Sequence, residues 1–80
     1  MTHEYLTQGT CSKCIQFKVE EGHLSSVRFI GGCDGNLKGI GKLVEGMPTE
    51  EVIQKLEGIT CGRKSTSCPD QLAKALRSIR

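Results

Sequence analysis

The stretch that decides the fold is "CIQFKVEEGHLSSVRFI", residues 14–30. In its first half, apolar Ile15, Phe17 and Val19 alternate with polar residues, which is the period of a half-buried strand. "EGH", residues 21–23, is typical of a turn, and beyond it Val27 and Phe29 share one face of a second alternating run. The pattern predicts a β-hairpin. "THEYLTQ", residues 2–8, predicts a further strand at the edge of the same sheet.

After the hairpin the apolar spacing becomes helical, which predicts a helix within residues 34–46. This segment contains Gly35, Gly39 and Gly41, each of which costs a helix about 1 kcal/mol relative to Ala. We therefore expect the glycines to allow close packing or the approach of something bound.

Two more helices follow. Pro48 and the acidic residues after it predict a helix start, and Gly58 predicts its end. The last helix opens around Pro69, which leaves Cys68 at the N-cap and Asp70 in the first turn. Three strands followed by three helices predict a single α+β domain over residues 1–80, with the helices packed on one face of a three-stranded antiparallel sheet.

The composition limits the function. Eighty residues with 36% hydrophobic content and no Trp make a thin core, which a metal or disulfides often reinforce. A net charge of +2 does not indicate a nucleic-acid partner, and no apolar run is long enough to span a membrane. The N-terminus has no signal-peptide pattern, so a cytoplasmic location is expected. There cysteines stay reduced, and the odd count of five favours metal binding or thiol chemistry over disulfides.

The cysteines fall near the ends of predicted elements. Cys33 and Cys68 precede helix N-termini, where free N–H groups and the helix dipole favour a thiolate. Cys11 and Cys14 form a CxxC pair, and Cys61 lies in the loop before the last helix. We expect three to five of these sulfurs to meet at one edge of the domain. A zinc site from Cys11, Cys14, Cys61 and Cys68 is one alternative, although six residues between the last two is an irregular spacing.

"TSCPDQLAKAL", residues 66–76, together with "CG" at 61–62 and "GGCDGNLKGI" at 31–40, resembles the TSCPD-domain family, which is named for the pentapeptide at 66–70. Such domains occur as short free-standing proteins and in adenosylcobalamin-dependent ribonucleotide reductases. The resemblance implies an accessory role in ribonucleotide reduction, with a redox-active cysteine pair and a reductase as partner.

A more distant similarity is to the U-type iron-sulfur scaffold proteins, in which cysteines stand at a strand start and before two helices. Cys11, Cys33 and Cys68 occupy those places, but Lys13 and Ser67 stand where the scaffold has an aspartate and a histidine. Cys61 is an extra thiol beyond the scaffold pattern, available as a fourth ligand, and with it the four cysteines make a closed all-thiolate set. Such a set suits tight binding better than donation of a metal.

The leading hypothesis is a metal-binding module without turnover of its own, which holds Zn or an iron-sulfur cluster through Cys11, Cys33, Cys61 and Cys68. No catalytic residue is assigned, and the expected partner is an iron-sulfur client protein or a ribonucleotide reductase. The competing structural interpretation is that the cysteines are small buried core residues. Further ligands are less favoured: Cys14 suits a core role, and Asp34 and Asp70 suit helix capping.

Overall fold

The computed structural model describes residues 2–10, 12–32 and 34–79, with only the backbone of Asp34. The described residues form three strands and then three helices, which confirms the predicted α+β order. The elements are β1 Thr2–Leu6, β2 Ser12–Glu20, β3 His23–Gly31, α1 Asp34–Val44, α2 Thr49–Leu56 and α3 Cys68–Ile79.

The strands form an antiparallel sheet in the order β1-β2-β3, so the predicted hairpin and edge strand are both present. A two-residue turn joins β2 to β3 between the paired residues Glu20 and His23. Glu21 and Gly22 both have positive φ, at 52° and 77°. Positive φ at both central positions is the mark of the type I′ turn, whose twist matches that of the strands it connects.

A β-bulge in β3 corrects the simple alternation expected from the sequence. Gln16 pairs with Arg28 and Lys18 pairs with Ser25, so β3 has one residue more than β2 between these pairs. Ser26, inside the bulge, has a φ of 54°. The extra residue lets Leu24 and Val27, three positions apart, both pack against the core, which strict alternation would forbid.

The core lies between one face of the sheet and the helices. Full burial of each large apolar side chain stabilises the fold by about 1.5–3 kcal/mol. The central cluster consists of Ile15, Phe17, Leu24, Val44, Val52, Ile53, Leu72, Ala75 and Leu76.

The apolar stripes of two helices extend beyond their buried faces. In α1, Leu37 and Val44 are buried, whereas Leu43 is 78% exposed because it lies about 100° around the helix from Val44. In α3, Leu72 and Leu76 are buried, but Ile79 at the last turn is 40% exposed. No helix within the described ranges is both long and apolar enough to span a membrane.

Candidate functional site

The N-terminus of α3 is capped by Ser67, not by Cys68 as the sequence suggested. Ser67 Oγ accepts a hydrogen bond from the Asp70 N–H at 3.2 Å, and its carbonyl accepts the Gln71 N–H at 2.8 Å. The backbone N–H groups of the first helical turn have no partner within the helix, and a hydroxyl oxygen accepts hydrogen bonds from them better than a thiol sulfur does. Cys68 is therefore the first residue of the helix, and Pro69 is the second.

Cys68 packs against the beginning of β2. Its side chain is 7% exposed, and its Sγ lies 3.2 Å from the hydroxyl of Ser12, which is 4% exposed. The Ser12 hydroxyl in turn lies 3.2 Å from Thr10 Oγ1. The start of α3 and the start of β2 thus meet at a buried chain of polar side chains.

Cys61 and Cys68 line the same cavity, which has a volume of about 180 Å³. Its walls are mostly apolar and come from three parts of the chain: the end of the β1–β2 connection, the first turns of α1, and the segment leading into α3. Besides the two cysteines, the lining consists of Thr10, Asn36, Leu37, Ile40, Lys64, Ser67 and Pro69.

The loop before α3 holds Cys61 near this cavity by its own hydrogen bonds. The Cys61 N–H donates to the Thr66 carbonyl at 3.2 Å, and the Lys64 N–H donates to the Cys61 carbonyl at 3.0 Å. The Ser67 hydroxyl donates to the Ile59 carbonyl at 2.6 Å. Cys61 is nevertheless exposed, so of the two cysteines it is the one that solvent reaches.

Cys11 and Cys33, the other two predicted ligands, lie outside the described residues. Of the two chain neighbours of Cys11, Thr10 lines the cavity and Ser12 lies at the Cys68 sulfur. Within the described part of the chain, no group of three or more His, Cys, Asp or Glu side chains could hold a metal ion. The described residues therefore bring together two of the four predicted sulfurs.

Cys14 points away from this cavity. It precedes the buried Ile15 on β2, and successive strand residues point to opposite faces, so Cys14 belongs to the outer face of the sheet. There its Sγ lies 4.0 Å from Glu4 Oε2, and the Gln16 amide donates to the same oxygen at 3.0 Å. Cys14 does not line the cavity that Cys61 and Cys68 share.

Asp70 has its carboxylate engaged by protein groups. It is 3% exposed and accepts hydrogen bonds from the Gly58 N–H at 2.8 Å and from the Thr66 hydroxyl, with Lys74 Nζ at 3.4 Å. Burial alone would raise the pKa of Asp70, but the bonds from Thr66 and Gly58 and the charge of Lys74 together lower it. The residue joins the end of α2 to the start of α3 and does not line the cavity. The side chain of Asp34 lies outside the described part of the chain.

Sequence reasoning missed the polar residues that position the cysteines. Ser12 contacts Cys68, and Ser67 caps the helix that Cys68 begins. Gln71 joins the segment before α3 to the β1–β2 connection. Its Nε2 donates to Thr66 Oγ1 at 3.0 Å, and its Oε1 accepts a hydrogen bond from the Gln8 N–H at 3.1 Å. A signal was present: hydroxyl residues directly flank the cysteines in "TCS", residues 10–12, and "TSC", residues 66–68.

Fold and site together define a small α+β domain in which two cysteines from a loop and a helix start line one mostly apolar cavity. The family model of the TSCPD domain matches residues 1–79, and the chain belongs to that family. No curated protein and no solved structure matches the chain significantly. The similarity to U-type iron-sulfur scaffolds gains no support from these comparisons.

Proposed function

We propose that the protein is a metal-binding module that holds Zn or an iron-sulfur cluster through Cys11, Cys33, Cys61 and Cys68. The observation that carries the proposal is the cavity lined by both Cys61 and Cys68. Thiolates are soft ligands, and zinc and iron-sulfur clusters are among the metal centres that they select.

The surroundings of the two cysteines suit such a group. Leu37, Ile40 and Pro69 line the cavity with apolar surface, which limits the access of water to bound metal. A four-thiolate set carries excess negative charge, and Lys64, on the cavity wall, supplies a positive charge that offsets part of it. Cys68, as the first residue of α3, also lies at the positive end of the helix dipole.

The direct test is elemental analysis, sulfide analysis and an absorption spectrum on protein purified without oxygen. We expect wild-type protein to contain zinc, or iron with acid-labile sulfide. Cys68→Ser and Cys33→Ser each remove one thiolate and should lose most of the bound metal. Cys14→Ser is the matched control, because Cys14 lies on the outer sheet face and its loss should leave the metal content unchanged.

Two results would contradict this function. Wild-type protein that lacks both metal and sulfide, and whose stability is unchanged by a chelator, would exclude it. Metal that is lost in Cys14→Ser but kept in Cys68→Ser would exclude this ligand set, since it would place the metal on the other side of the sheet.

A second candidate function is thiol-disulfide exchange with a ribonucleotide reductase. Two observations favour it: the association of TSCPD domains with these enzymes, and the presence of exposed Cys61 and buried Cys68 at one cavity. In this scheme the Cys61 thiolate attacks a disulfide of the oxidised reductase and forms a mixed disulfide, releasing one reductase thiolate. Cys68 then attacks Cys61 Sγ, which releases the second reductase thiolate and leaves a Cys61–Cys68 disulfide.

Thiol titration and mass spectrometry distinguish this candidate from metal binding. The redox function predicts that oxidised protein contains a Cys61–Cys68 disulfide and that Cys68→Ser traps a mixed disulfide between Cys61 and the reductase. If a ribonucleotide reductase neither binds the protein nor forms the mixed disulfide with Cys61, the thiol-disulfide exchange function is contradicted.

A further inference from the structure

We infer that Ser12 is a positioning residue of the proposed metal site, whose hydroxyl holds the Cys68 sulfur and tunes it as a metal ligand. This inference rests on the proposed function. It assigns to Ser12 a role that neither the cysteine spacing nor membership of the family indicates.

The contact between the two side chains is buried and formed across the fold. Ser12 Oγ lies 3.2 Å from Cys68 Sγ, within hydrogen-bonding distance for oxygen and sulfur. Ser12 is 4% exposed and Cys68 is 7% exposed, so water does not compete strongly for either group. Fifty-six positions separate them in the chain, and the contact exists because the starts of β2 and α3 meet.

Metal binding would set the direction of this hydrogen bond. A thiolate that ligates a metal has no proton, so the Ser12 hydroxyl must donate and the sulfur must accept. The Ser12 oxygen can then accept a hydrogen bond from Thr10 Oγ1, at 3.2 Å. With the Thr10 proton directed at Ser12 Oγ and not at the Ser12 carbonyl oxygen, which lies farther away at 3.4 Å, Thr10 would donate to Ser12 and Ser12 to Cys68 in a relay. Successive hydrogen bonds of this kind strengthen one another.

The Ser12 carbonyl has two hydroxyl partners, Thr7 and Thr10, of which only Thr10 also contacts the Ser12 hydroxyl. The carbonyl accepts a hydrogen bond from Thr7 Oγ1 at 2.5 Å, and Ser12 pairs with Gly31 of β3. Thr7 therefore offers a control, because removing its hydroxyl disturbs the same turn of chain without touching the bond to sulfur.

The consequence for a bound metal is electronic as well as geometric. A hydrogen bond to a ligating sulfur favours the thiolate form that binds the metal and lowers the energy of the sulfur electrons, and hydrogen bonds to sulfur are among the determinants of cluster potentials. Partners that orient a ligand in this way typically contribute about 10–100-fold to metal affinity.

The test is titration of the reduced, metal-free chain with Co²⁺ alone, followed by the sulfur-to-cobalt charge-transfer band. For Ser12→Ala we expect this band to move to longer wavelength and the affinity for Co²⁺ to fall about 10–100-fold. Ser12→Thr, which keeps a hydroxyl, should remain close to wild type. Thr7→Val should leave the band position unchanged whatever its effect on stability.

Thr10→Val provides a second variant that keeps Ser12 in place, in case Ser12→Ala does not fold. It removes the outer donor of the relay and should move the band in the same direction by a smaller amount. A band that stays at its wild-type position in Ser12→Ala, or in Thr10→Val if Ser12→Ala does not fold, in protein that binds Co²⁺, overturns the inference and leaves the proposed function standing. Wild-type protein that binds no Co²⁺ overturns both.

Discussion

Among single residues, Asp70 shows how a candidate ligand can serve the fold. Its carboxylate receives the Gly58 N–H and the Thr66 hydroxyl and pairs with Lys74. Burial opposes ionisation, but these partners outweigh it and lower the pKa of Asp70 below its ordinary value. The ionised carboxylate therefore stabilises the folded state.

The pH dependence of stability follows from the direction of this shift. A carboxyl with a lowered pKa in the folded state contributes stability above its unfolded pKa, about 3.9, and loses that contribution as the pH falls through the folded pKa. We expect Asp70→Asn to reduce the free energy of unfolding at pH 7 by about 1–3 kcal/mol, because buried donors lose a charged acceptor. The loss should shrink as the pH falls below about 4, because the unfolded wild-type chain then binds a proton at Asp70 before the folded chain does.

Urea unfolding of both proteins between pH 2 and pH 7 measures this difference. Glu51→Gln is the matched control, since Glu51 forms an exposed pair with Lys55 at 3.2 Å and should change stability by less than about 1 kcal/mol. A difference between wild type and Asp70→Asn that does not vary with pH would contradict the assignment.

Among the elements, α1 is distinguished by its glycines, and one of them has a clear packing role. A Cβ added at Gly41 would lie 3.1 Å from the Val27 carbonyl oxygen of β3. At Gly39 an added Cβ would have nothing within 4 Å among the described residues. The expectation that glycine permits close packing is thus confirmed at Gly41 and does not apply at Gly39.

These two positions give a matched pair of substitutions. Gly39→Ala should stabilise the protein by about 0.5–1 kcal/mol, because Ala loses less backbone entropy than Gly inside a helix. Gly41→Ala should show no such gain and should destabilise the protein, since α1 must move away from β3 to relieve the contact. Thermal unfolding of both variants measures the difference, and equal stabilisation by the two would show that the contact with Val27 is easily relieved.

For the whole molecule, stability depends on a small core. At about 0.05–0.15 kcal/mol per residue, a domain of 80 residues has a free energy of unfolding of about 4–12 kcal/mol. A substitution that leaves a single large cavity in the core would remove much of that free energy of unfolding. A bound metal would add to it, because a ligand that binds only the folded state raises the free energy of unfolding.

Leu72 and Leu43 test how much of the chain this core includes. Leu72 is fully buried in the central cluster, and Leu72→Ala should reduce the free energy of unfolding by about 2–5 kcal/mol. Leu43 is 78% exposed, so Leu43→Ala should change it by less than about 0.5 kcal/mol. Chemical denaturation of both variants gives the comparison. A large loss from Leu43→Ala would mean that its side chain is covered in solution.

Local patterns were sufficient to predict the elements of this protein. Alternation of Ile15, Phe17 and Val19 predicted β2, helical spacing predicted α1 to α3, and the order of elements predicted the α+β class. These predictions succeed because strand and helix periods involve residues close together in sequence. The placement of Cys61 and Cys68 near element ends was predicted for the same reason.

The contacts that make a site could not be obtained from these patterns, because each joins residues far apart in the chain. The bond between Ser12 and Cys68 depends on how α3 packs against the start of β2, and the bond between Asp70 and Gly58 depends on how the helices meet. The capping of α3 by Ser67 and the β-bulge at Ser26 are local features. The apolar periodicity does not show which of two adjacent residues caps the helix, or where a strand contains an extra residue. Packing of the elements against one core determined which polar groups meet, and it brought Cys61 and Cys68 to one cavity while leaving Cys14 on the opposite face of the sheet.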